Sequence, residues 1–369
     1  MVTYWGSPQN LAAPIVAPTS SSLVFGLDDE PSSAPEEQPP TPAEHYGYSP
    51  GSWNTAAQLG WKPKNKYKDD FMNDSGEYYN HKLSQVMQFR TGVQSGEVGL
   101  EVECEGVNLF NTPLRYWTCH EDGSLRSTGP HMPVEYVLRN PVKRDELRPC
   151  LEYLDAKLKE AGSKVIQSQR TSVHVHINCQ KMTIRELYTF ICLYMIFEEL
   201  LVEWSGPDRA GNLFCLRAKD SEYYITMLES VLKQNNFKQW REDYRYSACN
   251  VASVCKFGSL EFRSMQGTVD INMIELWVNI LLHLKDTAEK YDNPVEIVEE
   301  FTELGPLPFF KKIFADHGYR ELFEDSPGLS GKLWDGLRLM RDVAYCCPWK
   351  KPEQKKKRIR KKRPKENIE

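Results

Sequence analysis

The stretch Gly99-Leu-Glu-Val-Glu-Cys-Glu-Gly106, GLEVECEG, sets Leu100, Val102 and Cys104 in strict alternation with Glu101, Glu103 and Glu105. Successive side chains of a strand point to opposite faces, so the segment predicts a strand with an apolar back and a row of carboxylates in front. Alone, the pattern also fits a solvated edge strand. Three later segments repeat it with other polar chemistry. Val134–Arg139 sets Glu135 and Arg139 against Val134, Tyr136 and Leu138. Val173–Ile177, VHVHI, sets His174 and His176 against Val173, Val175 and Ile177. Leu260–Arg263 sets Glu261 and Arg263 against Leu260 and Phe262. Together they predict one sheet with an apolar back and a metal-capable face of Glu, His and Arg.

Around these strands the chain divides by composition. Residues 1–50 carry nine prolines among Ser, Ala, Glu and Gln, and residues 54–80 are polar and rich in Lys and Asn. Such segments bury too little apolar area to offset the entropy of ordering, so 1–80 is expected to be a disordered arm and linker. Residues 81–349 are expected to form the catalytic domain, with a helical extension over about 291–349. The last segment, 350–369, holds eleven Lys or Arg against three Glu, about +8; the formal charge of the whole chain is −5, so the rest carries about −13. This tail is expected to be disordered, and it would attract phosphates or an acidic partner in a salt-dependent way. Ten cysteines show no CxxC pair, and several sit within apolar runs, as expected of reduced, buried thiols in a reducing compartment. No basic segment followed by an apolar one opens the chain, and the most apolar run, Ile191–Val202, is interrupted by Glu198 and Glu199. A cytoplasmic protein that does not cross the membrane is expected.

Helix signals fall between the strands. A helix is expected from about Asp145 to Ala161, with Gly162 as its C-cap. Thr183-Ile-Arg-Glu186 is a capping box opening a long helix to about Trp204. Further helices are expected over 221–233, over 271–290 capped by Asp270, and from Asn293-Pro294 to about Leu304. Shorter ones follow over 308–316 and 329–344. A short strand at Tyr116–Thr118 leads to a turn with Asp122-Gly123 at its tip. Irregular alternation of strands and helices reads as α+β: a mixed or antiparallel sheet with helices on one face and an open polar face on the other.

The polar face restricts the chemistry. Glu101 and Glu103 stand side by side, an arrangement that a hard divalent cation relieves. Glu135 and Glu261 come from other strands and would complete oxygen-rich sites. His174 and His176 suit a metal or a phosphate; HVH also suits zinc, although no third soft ligand accompanies it. Arg263 beside Glu261 fits neutralisation of a transferring phosphoryl group. No GxxxxGK[ST], helix-opening GxGxxG or HExxH is present. A nucleotide would therefore be held through metals and side chains on a sheet, which points toward activation of a carboxylate by ATP.

The ordered set Gly99-Leu-Glu101-Val-Glu103, Glu121-Asp-Gly-Ser-Leu-Arg126, Val134-Glu-Tyr-Val137 and Ser172-Val-His174-Val-His176 resembles the amidoligase family. That family groups with the carboxylate–amine ligases similar to glutamine synthetase and glutamate–cysteine ligase. Arg209-Ala-Gly-Asn212, Phe214-Cys-Leu216, Arg245-Tyr-Ser-Ala-Cys-Asn250, Leu260-Glu-Phe-Arg263 and Gly267-Thr268 extend the likeness over about 96–290. The compact EDGSLR…EYV form looks more like the phage and bacterial branch. The resemblance implies a glutamine synthetase-like sheet and an ATP-dependent ligase that forms an amide through an acyl phosphate. By similarity, Glu101, Glu103, Glu135, Glu261 and His174 would hold Mg²⁺ (or Mn²⁺), with Asp122 nearby. His174, His176 and Arg263 would meet the nucleotide phosphates. Arg263, with Glu261, would serve the phosphoryl transfer, Arg209 and Arg245 would bind a substrate carboxylate or phosphate, and Asn212 and Asn250 would orient them. Glu105 reads as a rim residue because Gly106 is expected to end the strand. The acyl and amine substrates, an amino acid, amine or peptide, stay open, as does oligomeric state. The arm and tail leave a second expectation: a structural or binding protein, such as a phage- or particle-associated component, that keeps the ligase fold without turnover.

Overall fold

The computed structural model describes residues 75–109, 113–127, 132–221, 223–234, 245–315 and 318–349. The expected arm up to residue 74, and the tail from residue 350, lie outside them. The first described element, the 3-10 turn Ser75–Asn80, falls within the stretch assigned from sequence to the linker, and its Tyr79 is fully buried.

Six strands form one antiparallel sheet: β1 (Val98–Val107), β2 (Trp117–Glu121), β3 (Met132–Leu138), β4 (Ser172–Asn178), β5 (Cys249–Asn250) and β6 (Ser259–Gln266). Their spatial order is β2-β3-β1-β4-β6-β5, so the GLEVECEG strand lies in the middle of the sheet with β3 and β4 on its two sides. This central place explains why its apolar residues, Leu100, Val102 and Cys104, are all buried. Gly106 does not end β1, as the sequence led one to expect. It sits at φ +75°, a left-handed conformation open to glycine, inside an irregular stretch where pairing with β3 shifts between Cys104 and Val107.

Helices cover the apolar face. The described residues hold ten: α1 (Leu83–Val86), α2 (Leu147–Glu160), α3 (Ile184–Trp204), α4 (Tyr224–Gln234), α5 (Ala252–Phe257), α6 (Ile271–Ala288), α7 (Pro294–Leu304), α8 (Pro306–Ile313), α9 (Arg320–Phe323) and α10 (Leu329–Ala344). In α3 both bonds of the expected capping box are made, Glu186 N–H to Thr183 Oγ1 and Thr183 N–H to the Glu186 carboxylate. Its Phe190 and Tyr194 rings stand 5.7 and 4.8 Å from Phe262 of β6, which places the helix across the back of the sheet. Leu151, Leu154 and Leu158 of α2 and Ile274 of α6 gather around Val102 of β1. The Trp117 indole of β2 donates to the Cys150 carbonyl of α2 at 3.0 Å. The C-terminal α10 closes on α3 where Gly336 has no side chain; a Cβ there would lie 2.5 Å from the Ile196 carbonyl oxygen.

All ten cysteines are free, and eight of them are buried. Among the described residues no helix is long and apolar enough to cross a membrane.

Candidate active site on the polar face

Register brings the polar residues together. Across β1 and β4 Glu101 faces His174, across β1 and β3 Glu103 faces Glu135, and across β4 and β6 His176 faces Glu261. Glu101 lies between two imidazoles, Oε2 at 2.9 Å from His174 Nδ1 and Oε1 at 3.1 Å from His176 Nε2. Glu103 accepts twice from Ser172 at one oxygen, from the backbone N–H at 2.8 Å and the hydroxyl at 2.7 Å. The same Ser172 Oγ lies 2.7 Å from His174 Nε2. The far nitrogen of His176, Nδ1, is within 3.1 Å of Ser259 Oγ and 3.3 Å of Ser253 Oγ. Glu261 accepts from the Asn250 amide at 2.7 Å and pairs with Arg263 through its other oxygen. The sheet does not close into a barrel, yet Glu103, His174 and Glu261 are each less than a tenth exposed.

Arg263 owes its aim to an irregularity in β6. Val173 pairs with Met265 and Val175 with Phe262, so Arg263 and Ser264 together stand opposite His174. A bulge of this kind turns a side chain and frees backbone groups from the ladder. Arg209, almost wholly buried, bonds both bulge residues: Nε donates to the Ser264 carbonyl at 2.9 Å and a terminal nitrogen donates to the Arg263 carbonyl at 2.8 Å. Its guanidinium is thus spent on the backbone that presents Arg263. Phe214, from the same loop as Arg209, offers its carbonyl to Arg263 Nε at 3.4 Å.

Two of the residues expected at the site are not brought to the cluster. Asn212 bonds the Gln169 carbonyl and takes the Phe214 N–H, which shapes its own loop. Arg245 is exposed and stacks 4.5 Å over the Tyr246 ring. Glu105, expected on the rim, is 2% exposed and accepts the Arg126 N–H at 2.8 Å. Asp122 holds its turn through the Ser124 N–H and still adds to the field at Glu135. Ser172 and Ser259, to which the sequence reading gave no role, tie the histidines in place. A hydroxyl two residues before His174 on the same strand face was the signal for the first.

The electrostatics are those of crowded carboxylates. Burial, then the charges of Glu101, Glu103 and Asp122, push the Glu135 carboxyl up to about 9. Burial also works against the ionised form of Glu101, but His176 and His174 outweigh it and hold this carboxyl well below the usual range. Desolvation disfavours the charge of His176, yet Glu101 and Glu261 leave it raised. Arg263 is raised for the same reason, the desolvation being outweighed by Glu261, Glu103 and Glu101. Arg209 is lowered by burial. Two trios have ligand atoms within 4.8 Å of one another: Glu101, His174 and Glu261, and Glu103, Glu135 and His174. Carboxylate oxygens dominate both, and a carboxyl forced to keep its proton is what an uncompensated anionic site produces, so the donor set fits a hard divalent cation.

A family profile described as "Putative amidoligase enzyme" matches residues 83–285, which contain all six strands and every residue of both trios. No curated protein matches the chain.

Proposed function

The chain belongs to the amidoligase family, and from this membership and the chemistry of its polar face we propose that it is an ATP-dependent carboxylate–amine ligase. The observation that carries the reading is the set of four glutamates that β1, β3 and β6 bring to one face of the sheet, with His174 of the intervening β4 among them. In this reading Glu101, Glu261 and His174 would hold one Mg²⁺ or Mn²⁺, and Glu103 and Glu135 another. Such cations supply positive charge for the phosphates of ATP. Arg263, fixed by the bulge and by Glu261, stabilises the γ-phosphoryl group while a substrate carboxylate oxygen attacks phosphorus and ADP departs. An amine then attacks the acyl carbon, phosphate leaves with the oxygen that attacked, and an amide remains. His176, anchored by Ser259 and Ser253, would contact the phosphates. Arg209 acts through Arg263.

The antiparallel sheet with helices on its back supports a glutamine synthetase-like arrangement, with an amino acid, amine or short peptide as substrate. The basic segment 350–369 would add a salt-dependent contact with phosphate-rich or acidic partners; ending the chain at residue 349 should abolish it and leave turnover intact.

Acyl phosphates are trapped by hydroxylamine as hydroxamates. The purified chain, given Mg·ATP, hydroxylamine and a pool of amino acids and short peptides, is expected to yield hydroxamate in step with ADP. ADP release without hydroxamate from any carboxylate would count against an acyl phosphate.

A further inference from the structure

The loop that fixes Arg263 is tied to α3 at both ends. It leaves the helix at Ser205, whose carbonyl takes the Gln266 N–H of β6 at 3.1 Å. Three of its residues then hold the bulged strand. Arg209 bonds the carbonyls of Arg263 and Ser264, and the Phe214 carbonyl meets Arg263 Nε. Leu216 acts through backbone: its carbonyl takes the Ala248 N–H at 2.7 Å, and the Ala248 carbonyl takes the Arg263 N–H at 2.9 Å. Two positions beyond Leu216 the loop is drawn back to α3, where Glu198 Oε2 accepts the Ala218 N–H at 2.6 Å.

Glu198 is 3% exposed, and its other oxygen, Oε1, meets no hydrogen-bond partner among the described residues. The titratable groups that face it are Tyr194 on α3, Cys215, Arg217, Lys219 and Asp220 after it, Tyr224 of α4 and Cys249 of β5. The two cations are engaged elsewhere, Arg217 with Asp220 and Glu199, and Lys219 with Glu199. A glutamine would accept the same N–H with no charge to bury. A carboxyl at this place makes the anchor depend on a proton.

We infer that Glu198 is a positioning residue for Arg263: by holding Ala218 it locks the 205–218 loop, and Arg209, Phe214 and Leu216 pass that constraint to the β6 bulge. The inference rests on the ligase reading above and adds control of its site by pH. Burial pushes the Glu198 carboxyl up to about 8, although the Ala218 N–H and Arg217 oppose the rise. With the loop opened to water the carboxyl returns toward its ordinary 4.5. Between those values the closed loop holds the extra proton, so opening grows as pH rises and levels off above about 8.

Hydrogen exchange of the full chain, read by mass spectrometry between pH 5.5 and 9 and corrected for intrinsic base catalysis, tests this. In the wild type, exchange in 205–218 and in β6 should rise together, by about tenfold per pH unit up to the plateau. In Glu198→Gln neither should rise. The same pH dependence in both proteins, or a response of the loop that leaves β6 unmoved, overturns the inference. Glu198→Ala should speed exchange in both segments by about tenfold at every pH, the worth of one buried hydrogen bond. It should also lower kcat for ADP release with KM for ATP little changed, while Glu198→Gln keeps wild-type kcat at pH 6. Full kcat in an alanine variant whose loop exchanges faster overturns the inference. Should the wild type release no ADP, the ligase reading fails, and exchange in the wild type and Glu198→Gln still decides whether Glu198 holds the bulge.

Discussion

Glu135 shows how much of the site rests on individual side chains. Its native carboxyl, pushed up to about 9 by burial and by Glu101, Glu103 and Asp122, keeps a proton that the unfolded chain loses near 4.5. Between those values the folded state binds more protons, so stability falls as pH rises. Glu135→Gln should flatten that slope and raise the melting temperature at pH 8 in chelator. Added Mg²⁺ should stabilise the wild type and do little for the variant; thermal melts with and without Mg²⁺ check both. Glu198, wholly buried on α3 and pushed up to about 8 by burial, adds a slope of the same sign away from the site. Glu198→Gln is expected to lose less stability than the wild type between pH 6 and 9 in the same melts. The sequence made the front-row residues legible because a period of two is a strong rule. Glu101, Glu103, Glu135, His174 and Glu261 meet as the alternation required, and the β6 bulge brings Arg263 to them. Loop residues obey no such period, so nothing in the sequence could tell that Arg245 stacks on Tyr246 outside the cluster, or that Asn212 serves its own loop. The burial of Glu105 depends on Arg126, twenty-one positions away, and on an irregular strand end.

At the level of elements, the signals that proved readable were local ones. Thr183 with Glu186, Asp270, and Asn293 with Pro294 each mark a helix start, because a cap satisfies backbone N–H groups within one turn. Thr183→Ala should cost about 1 kcal/mol in denaturant unfolding, the usual worth of an N-cap. The small elements before β6 were not readable: β5 has two residues, and α5 follows an uncapped start at Val251. The β6 bulge is a matter of pairing across strands, which a single strand's sequence does not record. It matters because Arg209 secures it. Arg209→Lys keeps the charge but loses the pair of hydrogen bonds to the two carbonyls, and should lower kcat with KM for ATP little changed. Packing sets another limit. Helix propensity favours Ala over Gly by about 1 kcal/mol, yet Gly336→Ala should destabilise, since its Cβ would press 2.5 Å from a backbone oxygen of α3. A rise in melting temperature would mean that the two helices can part at little cost.

Over the whole molecule the sheet separates two kinds of chemistry. Helices and all eight buried cysteines keep company with the core, while the opposite face concentrates glutamate, histidine and arginine. This division was implicit in four short alternating segments, whose apolar halves needed a common covering layer and whose polar halves needed a common use. The amidoligase match over residues 83–285 spans the strands of that face. The central claim is that the face turns over ATP on behalf of a carboxylate and an amine, and it is tested most directly by ADP release. Purified protein with Mg·ATP is assayed against a pool of amino acids, amines and short peptides, beside the double variant Glu101→Ala/Glu103→Ala. The account predicts ADP release that requires both a carboxylate and an amine and is lost in the variant. ADP release equal in the two proteins, or a wild type that fails to bind Mg·ATP at all, would contradict it.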